Sequence, residues 1–115
     1  MQKCSSKIVE NSMKSAVELK AEILKAMAHP NRIRVLEALR CEETCNCELG
    51  PQLEIEQSNL SRHIAILARA GLIVPRKEGV KTFYRVADET VFKILDLAKE
   101  MALKQTETHF KALSA

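Results

Sequence analysis

Residues 57–71 limit the possible folds of this 115-residue chain more than any other stretch, because they predict a helix with two different faces. The apolar residues recur at helical spacing and form one stripe, Leu60, Ile64 and Leu67. The other face is short-chained and polar and carries one cation: Ser58, Ser61, Arg62 and Ala65. Gly71 follows the last turn, where a left-handed residue ends a helix at little cost. Such a helix can pack through one face and enter a DNA major groove through the other, although an ordinary surface helix has the same pattern.

The composition predicts one domain with an aliphatic core. Hydrophobic residues make up 46% of the chain and aromatic residues only 3%, so aliphatic side chains must fill the interior. The net charge of +3 permits an anionic partner without requiring one. No apolar run of about 18 residues occurs, and residues 1–4 lack the apolar stretch of a signal peptide, so we expect a cytoplasmic protein without a membrane partner. Clustered cysteines stay reduced in the cytoplasm and indicate a metal or redox site.

Long amphipathic helices are predicted in the terminal segments 1–28 and 88–115, the first of them beginning near residue 6. Both exceed what the core of a small domain requires, so we expect them to form the surface of a homodimer. Pro30 ends the first helix. Asn31 can cap the next one, whose buried stripe would consist of Ile33, Leu36 and Leu39.

A helix-turn-helix is predicted over residues 51–71. Residues 41–49 break the helical pattern, and Pro51 is harmless only at the first position of a helix. We therefore expect a short helix from Pro51 to residue 53 or 54, with an earlier, kinked start as the alternative. A turn over residues 55–57 then leads into the two-faced helix.

A basic β-hairpin is predicted over residues 72–87. Two β-prone runs flank Glu78 and Gly79. The cations near the tip of this hairpin are Arg76, Lys77 and Lys81. Hairpin tips are often rich in lysine for solubility alone, but beside a helix-turn-helix we interpret this one as a wing that contacts the phosphate backbone.

The cysteines Cys41, Cys45 and Cys47 fall within seven positions and predict a site for a soft, thiophilic ion. Residues i and i+2 of an intact helix point apart, so the backbone at Cys45 and Cys47 must be non-helical or must distort when an ion binds. Arsenite or antimonite needs three sulfurs, whereas cadmium, lead or zinc would accept a fourth from Cys4 of the other subunit. A redox switch, in which Cys41 pairs with Cys45 or Cys47, and a structural zinc remain alternatives.

Three segments resemble motifs of the ArsR/SmtB family of winged helix-turn-helix metal-sensing repressors. Residues 26–36 resemble its Ala-Leu-x-His/Asp-Pro-Thr-Arg-Leu-x-Ile-Leu segment. Residues 57–63 resemble its recognition helix, Gln-x-x-Val-Ser-x-His, and residues 44–49, Thr-Cys-Asn-Cys-Glu-Leu, resemble its metal box, Leu-Cys-Val-Cys-Asp-Leu. Residues 79–85 resemble the second strand of its wing. The resemblance covers residues 20–90, and the combination of motifs is specific.

The resemblance implies a mainly α winged helix-turn-helix with a small β-hairpin, dimeric through its N- and C-terminal helices. The homodimer would bind a near-palindromic operator in double-stranded DNA, with its recognition helices about 34 Å apart. The expected DNA contacts are Gln57, Ser58, Asn59, Ser61, Arg62 and His63 of the helix and Arg76, Lys77 and Lys81 of the wing. For His63, which lies between the groove face and the core, packing is the alternative role. Ion binding would weaken the DNA complex and release transcription of resistance or efflux genes.

Two features depart from the family pattern. Gly50 and Pro51 stand where relatives have helix-forming residues, so the local helix need not start where theirs does. Some relatives bind a second metal on the last helix, but residues 96–98 and 109–112 each lack a ligand here, so no metal is predicted there. His109 is expected to be a solvated helix-end residue, and His29 a structural turn residue.

An enzyme is not predicted. No hydroxyl or thiol nucleophile stands near a recognisable base, and no Gly-rich phosphate loop occurs among the three glycines. The leading prediction is a metal- or metalloid-responsive transcriptional repressor. A thiol-based redox regulator of the same fold is the first alternative. A metallochaperone that does not bind DNA is the second, but it would explain neither the basic hairpin nor the polar helix.

Overall fold

The structure, a computed structural model, describes residues 14–114 as five helices and a small sheet. In chain order the elements are α1 (Ala16–Met27), α2 (Pro30–Ala38), β1 (Thr44–Cys45), α3 (Asn46–Leu53), α4 (Gln57–Arg69), β2 (Ile73–Glu78), β3 (Lys81–Val86) and α5 (Thr90–Ser114). The three strands form an antiparallel sheet in the order β1-β3-β2. The predicted fold class, mainly α with a β-hairpin, is confirmed.

Helix α1 begins at Ala16, behind a capping box. The Ser15 hydroxyl accepts a hydrogen bond from the Glu18 N–H at 3.2 Å, and the Glu18 carboxylate accepts one from the Ser15 N–H at 3.0 Å. This capping box leaves residues 14 and 15 outside α1, so the prediction of one continuous helix from residue 6 is wrong at these two residues. Residues 6–13 of that predicted helix lie outside the described residues.

The cap of α2 is His29 and not Asn31. The His29 Nδ1 accepts a hydrogen bond from the Asn31 N–H at 3.0 Å, and Pro30 occupies the first helical position, where its missing N–H costs nothing. The predicted cap at Asn31 is therefore wrong, whereas the structural turn role of His29 is confirmed. An imidazole acceptor does here what a serine or aspartate side chain does at most helix starts.

The core lies where α2, α3 and α4 meet the base of the sheet. Its fully buried side chains are Val35, Leu36, Cys45, Leu49, Leu60, Leu67 and Ile73. The predicted stripe of α4 is confirmed in full. In the predicted stripe of α2, Leu36 and Leu39 are buried as expected, but Ile33 is 37% exposed, and Val35, omitted from the prediction, is completely buried.

Helix α3 starts five residues before Pro51, at Asn46, so its predicted start at Pro51 is wrong and the earlier alternative is right. Pro51 can be accommodated because the helix ends two residues later and only a single backbone hydrogen bond is missing. Glu54 closes the helix in the left-handed conformation, and the Ile55 N–H donates to the Gly50 carbonyl at 2.9 Å. A Cβ at Gly50 would meet the Ile55 carbonyl oxygen at 3.2 Å, so this tight turn favours glycine.

The end of α4 forms the predicted glycine cap. Gly71 has φ +80°, the Leu72 N–H donates to the Leu67 carbonyl at 3.0 Å, and the Gly71 N–H donates to the Ala68 carbonyl at 3.0 Å. This pair of bonds is a Schellman motif. The buried Leu72 and Ile73 then lead the chain from the end of α4 directly into β2.

The hairpin of β2 and β3 is confirmed, with Glu78 opposite Lys81 and Gly79 at φ +64° in the connecting turn. A third strand was not predicted. The two residues of β1 pair with β3, Thr44 opposite Tyr84 and Cys45 opposite Phe83. The segment that carries the cysteines is thereby part of the wing sheet.

Helix α5 and helix α1 carry apolar side chains that the described chain does not cover. Val91, Phe92 and Leu95 of α5 are buried. The exposed large apolar side chains are Leu97, Met101, Leu103, Phe110 and Leu113 on α5 and Val17, Leu19, Ile23 and Leu24 on α1. Over residues 14–114 the structure has no helix that is both long and apolar enough to cross a membrane.

Candidate DNA interface and cysteine site

The N-terminal turns of α4 present an open polar surface. The side chains predicted to face the groove are all exposed: Gln57, Ser58, Asn59, Ser61 and Arg62. Leu60, Ile64 and Leu67 hold the opposite side of the helix in the core. The Ser58 hydroxyl donates to the Glu56 carboxylate at 2.6 Å, at the very start of the helix. The geometry leaves this end of α4 accessible to a macromolecular groove.

His63 is buried and packs against neighbouring side chains. It is only 7% exposed, its ring centroid lies 4.4 Å from that of His29, and its Nδ1 lies 3.4 Å from a guanidinium nitrogen of Arg32. The Arg32 Nε donates to the Ala26 carbonyl at 2.7 Å, so Arg32 joins the end of α1 to the interface between α2 and α4. His63 is therefore not part of the exposed surface formed by the other predicted DNA contacts of α4.

We expect the fold to become less stable as the pH falls, through protonation of His63. Burial lowers the pKa of His63, and nearby cationic groups lower the same pKa further. The unfolded chain therefore takes up the proton first as the pH falls. The neutral ring stabilises the fold above about pH 6.5, and this contribution disappears as the pH falls through the lowered folded-state pKa.

Urea unfolding from about pH 7 to about pH 5 would measure this effect, since one group of perturbed pKa changes stability measurably. His63→Gln should show a shallower fall in the free energy of unfolding than the wild-type chain. Equal slopes for the two proteins would mean that His63 does not carry the pH dependence.

The three predicted wing cations have different surroundings. Lys77 and Lys81 are exposed near the hairpin tip. Arg76 instead lies between two carboxylates: its Nη2 is 2.8 Å from a Glu43 oxygen, and its Nη1 is 3.1 Å from a Glu78 oxygen. The hydrogen bonds from Arg76 hold the pKa of Glu43 below its usual value. Lys77 and Lys81 are thus the better placed of the three to bind phosphate.

Cys45 and Cys47 are brought together and Cys41 is not. A disulfide joins Cys45 and Cys47, whose Cα atoms are 5.1 Å apart, and Cys41 is a free, exposed thiol. The backbone is non-helical at Cys45, which ends β1. The side chains of Cys45 and Cys47 therefore do not point apart as they would at positions i and i+2 of a helix. Within residues 14–114 no group of three or more His, Cys, Asp or Glu side chains is arranged to hold a metal ion. Cys4 lies outside the described residues.

The cysteine pair sits at the junction between the wing and the helix-turn-helix. Cys45 is buried and pairs across the sheet with Phe83, while its sulfur caps α3 by accepting the Cys47 N–H at 3.1 Å. The next turn of α3 places Leu49 in the core against α4. Any change in the bonding of these two sulfurs therefore acts on the start of α3 and on β3 at once.

The sequence and the fold of the chain match those of known regulators. The family described as "Bacterial regulatory protein, arsR family" matches residues 29–74. An uncharacterized HTH-type transcriptional regulator of Methanocaldococcus jannaschii, MJ1325, is 36% identical over 85 residues, which cover 73% of this chain and 96% of that protein. The transcriptional activator HlyU of Vibrio cholerae is 39% identical over 88 residues, covering 76% of this chain and 77% of HlyU.

One relative is named for arsenic and one solved structure for its dimeric state. The arsenical resistance operon repressor of Staphylococcus xylosus is 36% identical over 67 residues, covering 58% of this chain and 64% of that repressor. The solution structure of the homodimeric winged helix-turn-helix DNA-binding domain of Mb0332 from Mycobacterium bovis superposes with a TM-score of 0.72 at 25% identity. That alignment covers 80% of this chain and 85% of the domain.

These relatives are transcriptional regulators, which confirms the prediction of a non-enzymatic protein of a DNA-binding class. The match in sequence extends over the helix-turn-helix, and the match in structure extends over most of the chain. The chain belongs to the ArsR family of bacterial regulatory proteins.

Proposed function

We propose that the chain is a cytoplasmic homodimeric repressor whose operator affinity is controlled by Cys45 and Cys47, with a thiophilic metal or metalloid ion as the inducer. The observation that carries the proposal is the position of this pair. Its two sulfurs lie side by side, between the wing strand β3 and the start of α3. The ion and the operator would then bind most tightly to different arrangements of the same elements.

The exposed polar end of α4 supports the DNA-binding part of the proposal. In helix-turn-helix proteins, the N-terminal residues of the second helix contact base edges in the major groove. Arg62 is the cation of that surface, and it can donate two hydrogen bonds to a guanine. Lys77 and Lys81 would bind phosphates from the wing, which fixes the register without reading the sequence.

The exposed apolar faces of α1 and α5 support the homodimer. Soluble chains rarely leave large contiguous apolar surfaces without a partner. The Mycobacterium bovis domain of the same fold is described as homodimeric. A two-fold dimer of this chain would place two copies of α4 on half-sites about 34 Å apart, which requires a near-palindromic operator. Terminal segments 1–28 and 88–115 would form its interface.

Soft-ion chemistry at the cysteine pair supports the choice of inducer. Thiolates favour arsenite and antimonite, as well as cadmium, lead and zinc, over hard cations. Cys45 and Cys47 would supply two sulfurs, and a third would come from Cys41 after rearrangement of the chain between α2 and β1, or from Cys4. The arsenical resistance operon repressor among the relatives makes a metalloid the first ion to test.

A redox switch is the second candidate, and the disulfide between Cys45 and Cys47 favours it. The pairing expected from the sequence for such a switch joined Cys41 to Cys45 or Cys47, whereas in the structure Cys41 is free. Oxidation of the two thiols forms one sulfur–sulfur bond and passes two electrons and two protons to an oxidant such as diamide, which becomes a hydrazine. A thiol reductant reverses the reaction by exchange.

Fluorescence anisotropy on the chain's own promoter DNA tests the proposal. The reduced protein should bind with a clear midpoint, and arsenite should release it while diamide alone should not. Release by diamide that dithiothreitol reverses would replace the ion with the redox switch. An absence of any DNA binding would leave only the metallochaperone alternative and would end the proposal.

Arg62→Ala should weaken operator binding by about 1–3 kcal/mol for each subunit of the dimer, because the variant cannot make the bidentate hydrogen bonds to a base. The affinity for the inducer should not change. Arg69→Ala is the matched control, since it removes the same charge from the last turn of the same helix. Equal effects in the two variants, or none in Arg62→Ala, would contradict the assignment of the N-terminal turns to the groove.

A further inference from the structure

We propose that Arg76 is a positioning residue that connects the cysteine segment to the wing, and that it does not bind phosphate. The inference rests on the proposed function, because it concerns how the state of Cys45 and Cys47 reaches the DNA. It assigns a role to the Glu43–Arg76 ion pair, which neither the sequence motifs nor the similarity to known regulators assigns.

Arg76 is held on three sides. Its Nε lies 3.0 Å from both Glu43 oxygens and its Nη2 lies 2.8 Å from one of them, so the two side chains meet edge to edge. Its Nη1 donates to Glu78 at 3.1 Å, and its guanidinium carbon lies 4.8 Å from the centre of the Phe83 ring. A planar fork facing a carboxylate has stricter geometry than an ammonium point charge.

Three residues form a row across the sheet. Cys45 of β1 is opposite Phe83 of β3, and Phe83 is opposite Arg76 of β2. The Arg76 side chain reaches back over the Phe83 ring to Glu43, two residues before Cys45. One end of this row is the cysteine pair, and the other end is next to Lys77 of the wing tip.

The carboxylates around Arg76 argue against phosphate binding by this residue. Two carboxylates already neutralise its guanidinium group, so a phosphate would have to displace Glu43, Glu78 or both. Lys77 is the next residue along β2 and is exposed. The contacts that hold Arg76 therefore also orient the part of β2 from which Lys77 projects.

The ion pair is suited to transmit a displacement and contributes little to stability. Strand β1 has only two residues, so its backbone pairing alone holds the cysteine segment weakly to the wing. Ion pairs at exposed sites add little to the free energy of unfolding, so their removal does not unfold a domain. If inducer binding at Cys45 displaces Glu43, Arg76 follows and the wing moves with it.

The test measures a release factor, defined as the operator dissociation constant with arsenite, the inducer used here, divided by that without arsenite. Glu43→Gln should keep the operator affinity of the uninduced protein and lower the release factor about fivefold, the size that a well-oriented ion pair can supply. Arg76→Gln should lower the release factor to the same extent. The double variant should show no further decrease, as expected for one interaction.

Salt dependence separates positioning from phosphate binding. If Arg76 bound a phosphate, Arg76→Gln would remove one contact from each subunit of the dimer and reduce the slope of log affinity against log salt by about 1.8, whereas a positioning role leaves that slope unchanged. Lys77→Gln is the matched control, and it should reduce the slope while keeping the release factor. Phosphate binding would also make Glu43→Gln bind DNA more tightly and Arg76→Gln more weakly, and these opposite signs would overturn the inference.

Amide NMR of the DNA-free protein gives a second readout. Adding arsenite to the reduced wild-type chain should shift the wing amides of Lys77 and Thr82, and in Glu43→Gln these shifts should be much smaller. A Glu43→Gln release factor equal to that of the wild-type protein would refute the inference alone and leave the proposed function standing. A wild-type protein that no thiol reagent or thiophilic ion releases from DNA would refute both.

Discussion

Replacing Cys47 with Ser should leave the operator affinity nearly unchanged and abolish release by the inducer. Cys47 is exposed in the first turn of α3, so a hydroxyl fits in place of the thiol without repacking the core. The variant retains one sulfur at this junction, which can neither share an ion with a partner nor form the disulfide. Allosteric couplings are commonly about 1–3 kcal/mol, or about 5–150-fold, and we expect a release factor in that range to fall to about 1.

Anisotropy titrations with and without inducer measure this change. Cys45→Ser should behave in the same way, although Cys45 is buried and a hydroxyl there costs some stability. Cys41→Ser distinguishes the two candidate inducers. It should weaken release if Cys41 supplies the third sulfur to arsenite, and it should have no effect on a switch that closes between Cys45 and Cys47. Normal release from Cys47→Ser would exclude this site.

Replacing Leu67 with Ala should lower the free energy of unfolding by about 2–5 kcal/mol, the range for buried leucine truncations. Leu67 is fully buried on the core face of α4, and its carbonyl also accepts the Leu72 N–H that closes the helix. The cavity would therefore open beneath the DNA-reading helix, where neighbouring side chains cannot collapse without moving α4. A marginally stable domain has a total stability of only about 5–15 kcal/mol.

Urea denaturation of the reduced protein at one fixed concentration measures this destabilisation, since the stability of a dimer depends on concentration. Val80→Ala is the control, because Val80 is fully exposed in the hairpin turn and its truncation should change stability by less than about 0.5 kcal/mol. An effect of Leu67→Ala no larger than that of the control would mean that α4 does not pack as the structure describes.

Local sequence was a good guide wherever neighbouring residues decide the conformation. The stripe of α4, the Gly71 cap and the hairpin at Gly79 all follow from residues within one or two turns of each other. It was a poorer guide to the ends of helices. His29 and Asn31 can both cap a helix start, and in the folded chain the His29 imidazole, packed against His63, is the cap.

The cysteine site was predictable in position and less so in geometry. The spacing of Cys45 and Cys47 indicated a shared ion and a non-helical backbone, and the backbone at Cys45 is indeed non-helical. The bond between Cys45 and Cys47 was not predicted, because the expected redox pairing joined Cys41 to one of them. Cys41 lies only four residues before Cys45, yet it is exposed and unbonded. Its distance from the pair depends on the path between α2 and β1, which sequence spacing does not define.

The sequence by itself determined the order of the predicted helices and hairpin, the face of α4 that is buried and the family to which the chain belongs, because helical periodicity, glycine turns and short motifs are local properties. Only the tertiary structure decided that β1 joins the wing and that Arg76 faces Glu43. Those pairs of residues are more than 30 positions apart in the chain, and they meet only when the sheet brings distant segments together. Charge alone made Arg76 equivalent to Lys77, and its neighbours across the sheet distinguish the two.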